Sequence, residues 1–593
     1  MKDDNYLEHL RHSTSHLLAA AVIELWPNAK LAIGPAIENG FYYDIDFGNT
    51  KVNEEDFPKI EKKMHELIGS WKSFHRLSFK ASDAKKQYKD NPYKNELIEE
   101  FSYKGKKEVG FYESVGSKST YFKGETYRDL CKGGHTEKPS EEIKYFKLLS
   151  IAGAYWRGDE KNKMLTRIYG TVWPTQKELD EYLKLQEEAK KRDHRKLGRE
   201  LNLFLFSPSV GPGLPLFTPK GTTIRHELEK YLTDIKKKWG LQFVWTPHIA
   251  RSELYKQSKH WQKYDAMMPP FKVEDDEYVL KPMNCPHHFQ IYNSQPRSYK
   301  DLPIRYAENA TDYRYEKSGE LNGLLRVRAL TQDDSHWFVP HDKLGEELQS
   351  ALDLMVKIFD DFGLKNYNAN ISVRDKSNLD KYIGEPEVWD KAEKQLVDAV
   401  EKRGIKYKID EGEAAFYGPK IDIKIEDAIG RQWQLTTVQL DFNQPNNFNL
   451  EYTDTDGSKQ KAAVLHIAIV GSIERFMAIL IEHFEGNFPT WLTPVQVKVL
   501  PITDKHVEYA KTVVEKLMAE NIRAELDDRN ERLQAKIRDA QLEKVAYMFI
   551  VGDKEAESNK VAVRKRDGTD LGAIDLESFI NDLKKEIEKK RIN

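Results

Sequence analysis

The segment from Arg314 to Phe338, RYEKSGELNGLLRVRALTQDDSHWF, constrains this chain more than any other. It sets cations, a carboxylate, a turn and a metal-capable histidine in one hairpin-like stretch. Arg314-Tyr315-Glu316 alternates as a strand does, which places Arg314 and Glu316 on one face and Tyr315 behind. KSGELNG interrupts that strand at Gly319 and Asn322-Gly323, and alternation resumes from Leu324 to Leu330, predicting Arg326 and Arg328 side by side. Arginine forks suit phosphate oxygens, and a carboxylate such as Glu316 accepts from an exocyclic amine, so a nucleoside triphosphate fits between these faces. Taken alone, the same residues also describe a charged surface hairpin.

At 593 residues the chain is long enough for several cores. Charged residues make up 32% of it, and no apolar run approaches the ~18 residues that cross a membrane. Met1 leads into a polar segment rather than a secretory signal, so a cytoplasmic protein without a membrane partner is expected. Cys131 and Cys285 are the only cysteines, which argues against a disulfide framework and makes each a candidate ligand, reactive group or inert buried thiol. A net charge of -3 gives no global signal for nucleic acid, and any RNA contact must come from local patches.

Four regions are expected. Residues 1–174 read as an α+β domain, with helices near Leu7–Leu25 and Phe57–Ile68 and strand signals such as GFYYDIDF. Residues 175–199 read as one uninterrupted charged connector helix with a basic last third. Residues 200–490 open at Gly211-Pro212-Gly213, carry a helix near Thr223–Lys238, the strand LQFVWTPHI and the strands of AAFYGPKIDIKI and RQWQLTTVQLDF, and end in a helix near Gly471–His483. Several of these strands follow one another without helices, which favours antiparallel pairing. Residues 491–593 alternate short strands and helices as a small α/β unit.

Two clusters carry chemistry. In His12-Ser-Thr-Ser-His16 the i, i+4 spacing puts both histidines on one helix face, and Cys131-Lys-Gly-Gly-His135 can fold back over a short glycine turn. These four residues describe either a four-ligand zinc site or a metal-free hydrolytic pocket with histidines as acid and base. Serine at position 13 disfavours a zincin, which needs glutamate there. The second cluster is Cys285, His336 and His466, three N/S donors that would leave zinc an open position for substrate.

With these residues in view, the chain resembles the threonyl-tRNA synthetase family of class II aminoacyl-tRNA synthetases over essentially its whole length. HSTSHLLAAAV, DLCKGGH, GAYWRGD, KPMNCPHH, TQDDSH, AFYGPKID, TVQLDF and GSIERF occur in the family's order. The resemblance implies an α+β multidomain protein: an N-terminal editing domain, a class II catalytic domain on an antiparallel sheet that dimerises through the Pro247 segment, and a C-terminal anticodon-binding domain. It implies ATP-dependent ligation of L-threonine to tRNA(Thr) through threonyl-adenylate, with one Zn2+ per chain, Mg2+ entering with ATP, and hydrolysis of mischarged seryl-tRNA(Thr).

By resemblance, Arg314 contacts the α-phosphate, Glu316 the adenine side, and Arg326 and Arg475 the triphosphate tail. Cys285, His336 and His466 hold zinc. Gln332, Asp334, Tyr417, Lys420, Gln434 and Ser472 surround the substrate, and His260 serves transfer to the terminal ribose. His12, His16, Lys94, Asp129, Cys131 and His135 form the editing pocket, for which the family favours the metal-free reading. Asn530, Arg538, Glu555 and Arg564 match anticodon-reading positions. The sequence departs from the family in beginning at the editing domain, without the small ubiquitin-like domain that commonly precedes it. It also has Ile467 after the zinc histidine, where a basic residue is frequent, and Gly134 where proline is frequent, which is expected to loosen that turn. Two other functions fit parts of the sequence: a catalytically inactive tRNA-binding regulatory paralogue, and a zinc hydrolase acting independently of tRNA.

Overall fold

The computed structural model describes residues 5–103, 108–427 and 430–590, and every site residue named above falls within them. The chain divides into two compact units, Met1–Glu187 and Glu188–Asn593.

In the first unit, helix Tyr6–Leu25 buries Leu10, Leu17, Leu18 and Val22 together with Ser13, Thr14, Ser15 and His16. The polar groups buried in its middle must be satisfied internally, and Thr14 does so by donating back to Leu10 O at 2.7 Å. This helix packs against an antiparallel sheet of Gly40–Asp46, Met164–Trp173 and Tyr145–Tyr155, to which two short strands add. A second antiparallel sheet, Ser73–Lys80, Glu108–Val115 and Arg128–Leu130, leads directly into Cys131. Helix Phe57–Ile68 has the bounds that its periodicity predicts.

The second unit is organised by an eight-stranded sheet in the order Gln242–Phe243, Ile304–Tyr313, Ala329–Val339, Ala463–Ser472, Gln432–Asp441, Lys420–Glu426, Tyr367–Val373, Tyr407–Glu411. Pairing is antiparallel except at the two ends, where Gln242–Phe243 and Tyr407–Glu411 pair in parallel. Helices Leu344–Asp361 and Ile473–His483 lie along it and fill a large core with Leu352, Met355, Phe476 and Leu480. Beyond Pro494 a mixed five-stranded sheet, Ala524–Leu526, Val497–Pro501, Tyr547–Val551, Lys560–Lys565, Asp570–Asp575, carries its own core of Val499, Phe549, Val563 and Phe579.

Three local expectations are corrected. The connector is not one helix: Gln176–Arg192 ends, Asp193 leaves helical geometry at φ -48, ψ 121, and a new helix runs His194–Glu200. The Asp193 carboxylate accepts from Arg195 N at 2.8 Å, so the break is an N-cap that restarts the helix. The strand Ile304–Tyr313 stops before Arg314, and Leu324–Arg328 is a turn rather than a strand, with Gly323 at φ +50. Arg326 and Arg328 consequently do not line one strand face; both instead reach Glu316, the first through its carboxylate and the second through its carbonyl. LQFVWTPHI is also split, since the two short strands Gln242–Phe243 and Ile249–Arg251 flank Pro247, which cannot donate to a ladder.

Candidate functional site

Period-two geometry builds the main cavity. Along Ala329–Val339, Gln332, Asp334 and His336 share one face and line a cavity of about 820 Å³, while Asp333, Ser335 and Trp337 point behind it. His336 faces His466 across the ladder, and a bulge follows, so that Gln332 opposes Ser472 while Asp334 opposes Ala468. The extra residues free the amides of Ile469 and Val470, and the buried Asp333 carboxylate accepts both at 3.0 and 3.2 Å, with Lys236 Nζ 3.5 Å away. That bulge turns the chain at Gly471, φ +70, into helix Ile473–His483, whose N-cap is Ser472, its hydroxyl accepting from Arg475 N at 3.1 Å. Arg475 enters the cavity at this helix start.

The cavity wall brings together Arg314, Glu316, Arg326, Arg475, Gln332, Asp334, Tyr417, Lys420, Gln434 and Ser472, with Cys285, His336 and His466. Arg326 donates to Glu316 at 2.8 Å and reaches Glu320 at 2.8 Å. Burial first, and Arg326 second, lower the Arg475 pKa, and both arginines line this end of the cavity together with Glu316 and Glu320. Gln434 donates to Asp422 Oδ1 at 2.7 Å, and the Lys420 ammonium pairs with Asp422 Oδ2. His260 does not line the cavity. It is fully buried behind Tyr417, accepts from or donates to Ser258 Oγ at 2.7 Å, and keeps Nε2 without a hydrogen-bond partner among the described residues. Burial lowers its pKa to about 3.

The donor atoms of Cys285, His336 and His466 all lie within 4.8 Å of one another. Their outer nitrogens are held. His466 Nε2–H donates to Asp441 Oδ2 at 3.1 Å, while Asp441 also accepts from the amides of Asn443 and Gln444. The Asn284 amide N–H donates to His288 Nε2 at 2.8 Å, with Glu308 Oε2 3.3 Å from the same nitrogen, so His288 carries its proton on Nδ1 and donates it to His336 Nδ1 at 2.8 Å. His336 Nε2–H then donates to His466 Nδ1 at 3.0 Å, so one relay of protons runs from Asn284 through His288, His336 and His466 to Asp441. Loss of the proton shared by His336 Nε2 and His466 Nδ1 would leave two lone pairs 3.0 Å apart beside the Cys285 thiol, a donor set that fits a cation. Burial, then Asp334, Asp441 and Asp312, push the Cys285 thiol pKa up, a negative surrounding that suits a divalent ion.

In the first unit, His12, His16, Cys131 and His135 also place one donor atom each within 4.8 Å of one another. Here a single proton arrangement satisfies the contacts. His12 Nδ1–H donates to Gly134 O at 3.0 Å, leaving Nε2 to accept from the Cys131 thiol at 3.5 Å. His135 Nε2–H donates to Cys131 Sγ at 3.3 Å, and the Ser13 hydroxyl donates to His135 Nδ1 at 3.2 Å while accepting from Thr136 N at 3.0 Å. Burial raises the Cys131 thiol to about 12 and lowers the pKa of His12, His16 and His135. His16 Nδ1 has no hydrogen-bond partner among the described residues and lies 3.9 Å from Asp129. Asp129 is committed elsewhere: Lys94 pairs with it at 2.5 Å, Tyr88 donates at 3.4 Å, and the Tyr43 hydroxyl donates as well. Gly133 and Gly134 sit at φ +106 and +84, a conformation closed to proline. Gly134 therefore belongs to a differently shaped turn, and its carbonyl is what fixes the His12 tautomer.

Of the remaining candidates, Asn530 is exposed in the loop before helix Leu533–Leu542 and Arg538 is exposed on that helix. Glu555 accepts from Gly552 N at 3.0 Å and so caps a short helix, and Arg564 lies on strand Lys560–Lys565 opposite Met548. Sequence reasoning missed His288, Glu308, Asp441 and Tyr43, which orient the clusters rather than form them. His288 was visible in KPMNCPHH, but nothing distinguished it from His287.

The chain matches the models of three families: the tRNA synthetase class II core domain (G, H, P, S and T) over residues 271–484, the anticodon binding domain over 496–586, and the threonyl and alanyl tRNA synthetase second additional domain over 119–169. It is 48% identical to the threonine–tRNA ligase of Cytophaga hutchinsonii over 584 residues, 98% of this chain and 88% of that one. It belongs to the threonine–tRNA ligase family. The threonine–tRNA ligase of Porphyromonas gingivalis is 49% identical over 97% of the chain and 87% of that protein. Among solved structures, the RNA binding domain of threonyl-tRNA synthetase from Cryptosporidium parvum superposes with a TM-score of 0.64 at 37% identity, covering 66% of this chain and 98% of that one. A threonyl-tRNA synthetase, ThrRS-1, from Aeropyrum pernix gives 0.60 at 30% identity, covering 68% and 96%. Membership in the threonine–tRNA ligase family agrees with the fold class expected from the sequence: a class II core, an anticodon-binding domain and an editing domain.

Proposed function

We propose that this chain ligates L-threonine to tRNA(Thr) through threonyl-adenylate and hydrolyses mischarged seryl-tRNA(Thr). The observation that carries this reading is the single cavity in which a three-donor N/S cluster adjoins three arginines. Arg314 holds the α-phosphate, Glu316 receives the adenine amine, and Arg326 and Arg475 take the triphosphate tail together with Mg2+ that enters with ATP. The arginine-lined end of the cavity aligns the α-phosphate for attack by the threonine carboxylate, with pyrophosphate leaving towards Arg326 and Arg475.

Cys285, His336 and His466 would hold one Zn2+, which when bound supplies an open position for the amino and hydroxyl groups of threonine. Gln332, Asp334, Tyr417, Lys420, Gln434 and Ser472 close around the amino acid. His260, buried behind Tyr417 and outside the cavity, is assigned to transfer to the ribose on the resemblance alone. A pocket that reads a hydroxyl rejects valine strongly, whereas serine differs by one methyl, worth about 1–3 kcal/mol or roughly 10- to 200-fold. A second, hydrolytic site is therefore needed, and we assign it to His12, His16, Lys94, Asp129, Cys131 and His135. Asn530, Arg538, Glu555 and Arg564 are assigned to the anticodon.

The domain reading is a further part of this proposal: editing 1–174, connector 175–199, catalysis 200–490, anticodon binding 491–593. A homodimer through the Pro247 segment is supported by exposed apolar side chains around it, with Trp245 74% and Ile249 41% exposed. No helix among the described residues is long and apolar enough to cross a membrane, and a cytoplasmic setting accords with translation. Threonine-dependent ATP–pyrophosphate exchange by the purified protein, before and after zinc removal, tests the assignment. Exchange that needs threonine and zinc supports it; absence of exchange with zinc present rejects it and favours the inactive tRNA-binding paralogue.

A further inference from the structure

The loop that carries Arg326 is pinned from an unexpected direction. His194, 1% exposed, opens the helix that Asp193 restarts after the connector. Its Nδ1–H donates to Glu482 Oε1 at 2.7 Å, and its backbone N–H donates to the same oxygen at 3.0 Å. Its Nε2 accepts the backbone N–H of Leu324 at 3.1 Å. Both ring nitrogens are thus used, and only the neutral Nδ1–H tautomer satisfies both partners.

Glu482 closes the last turn of the helix that Arg475 opens, and its other oxygen pairs with Arg431. The loop has been shaped to meet the ring. Gly323 lies at φ +50, and a Cβ there would stand 2.1 Å from His194 Nε2. On the far side, Arg328 N donates to Gly213 O at 2.8 Å. Leu324 and Arg328 are therefore both anchored, and Arg326 lies between them, lining the cavity with Leu325 and Val327.

We infer that His194 is a positioning residue for ATP: by accepting the Leu324 amide it fixes the loop that presents Arg326 to the triphosphate. This rests on the assignment of Arg326 to ATP made above. Asparagine and glutamine separate the two bonds of the ring, because an asparagine amide nitrogen stands near the Nδ1 position and a glutamine amide oxygen near Nε2. His194→Asn keeps the donor to Glu482 and loses the loop; His194→Gln keeps the acceptor for Leu324. Gly323→Ala displaces the loop with His194 intact.

The test is threonine-dependent ATP–pyrophosphate exchange by the full zinc-loaded chain, with KM for ATP and for threonine measured separately and seryl-tRNA deacylation as a control for folding. His194→Asn and Gly323→Ala are expected to raise the KM for ATP by up to about 100-fold, the scale of a misplaced clamp. The threonine KM at saturating ATP and the deacylation rate stay at wild type, and His194→Gln recovers most of the loss. An ATP KM unchanged in Gly323→Ala, equal behaviour of the Asn and Gln variants, or ATP and threonine KM values rising together overturns the positioning role. Should His194→Asn fail to fold, Gly323→Ala and His194→Gln decide it on the same terms. A wild-type chain without exchange overturns the ATP assignment and this role with it.

Discussion

The two histidine–cysteine clusters have nearly the same composition and different electrostatic surroundings. In the cluster of His12, His16, Cys131 and His135, each contact found pairs a donor with an acceptor: thiol to imidazole, imidazole to backbone carbonyl, hydroxyl to imidazole. The nearby carboxylate, Asp129, is offset by Lys94 at 2.5 Å. At Cys285, His336 and His466 the two rings lie 3.0 Å apart in a relay that ends on the Asp441 carboxylate, in a field made negative by Asp334, Asp441 and Asp312. The lesson is that ligand identity does not make a metal site. What the ring's other nitrogen touches, and whether the nearest carboxylate is already neutralised, decides between holding a cation and moving a proton.

The largest separation of the two clusters comes from His12→Ala combined with His16→Ala. Deacylation of seryl-tRNA(Thr) should fall by about 10²–10⁴-fold, the range of lost acid–base catalysis, while threonine-dependent exchange stays at wild type. Equal loss in both assays would merge the two regions into one function.

Lys94→Met sharpens the electrostatic half of the comparison, because it strips the buried partner of Asp129, both side chains being 2% exposed. Breaking such a pair costs about 3–5 kcal/mol, and calorimetry should show a lowered first unfolding transition with exchange retained. Asp441→Asn tests the other cluster more gently. It keeps the shape that accepts the Asn443 and Gln444 amides but weakens the brace on His466, and zinc affinity measured by chelator competition should drop about 10–100-fold with deacylation unaltered.

The smallest contrast concerns acid. His260 has a folded pKa of about 3 against 6.5 for an ordinary histidine, because burial disfavours its cation. Below pH ~6.5 the unfolded chain binds a proton that the folded chain refuses, so stability present above that pH is lost as pH falls from about 6.5 towards 3. His260→Gln should flatten the fall in stability by up to about 1.4 kcal/mol per pH unit in that window, read from denaturation midpoints.

Much of this was legible in the sequence where a period did the work. Helical spacing joined His12 to His16, whereas Gln332, Asp334 and His336 were named from the family motif and only the structure shows them alternating onto one strand face. The bulge at Ile469–Val470 was not legible, because it depends on a carboxylate from another strand, Asp333, accepting two freed amides. Arg314 to Leu330 misled for a related reason: Arg326 and Arg328 alternate as strand residues do, yet Gly323 takes positive φ and the chain turns to meet His194, which lies 130 residues away along the chain. The break at Asp193 had a signal, since aspartate two residues before arginine is a ready cap, but a run of charged helix formers masked it.

The most direct measurement is to strip zinc from the intact protein with a chelator and assay one sample for both threonine-dependent exchange and seryl-tRNA(Thr) deacylation, before and after adding back one equivalent of zinc. The clusters as described predict that exchange disappears on stripping and returns at one equivalent, while deacylation is unchanged throughout. Loss of both activities, with recovery only at two equivalents, would contradict the metal-free reading of His12, His16, Cys131 and His135.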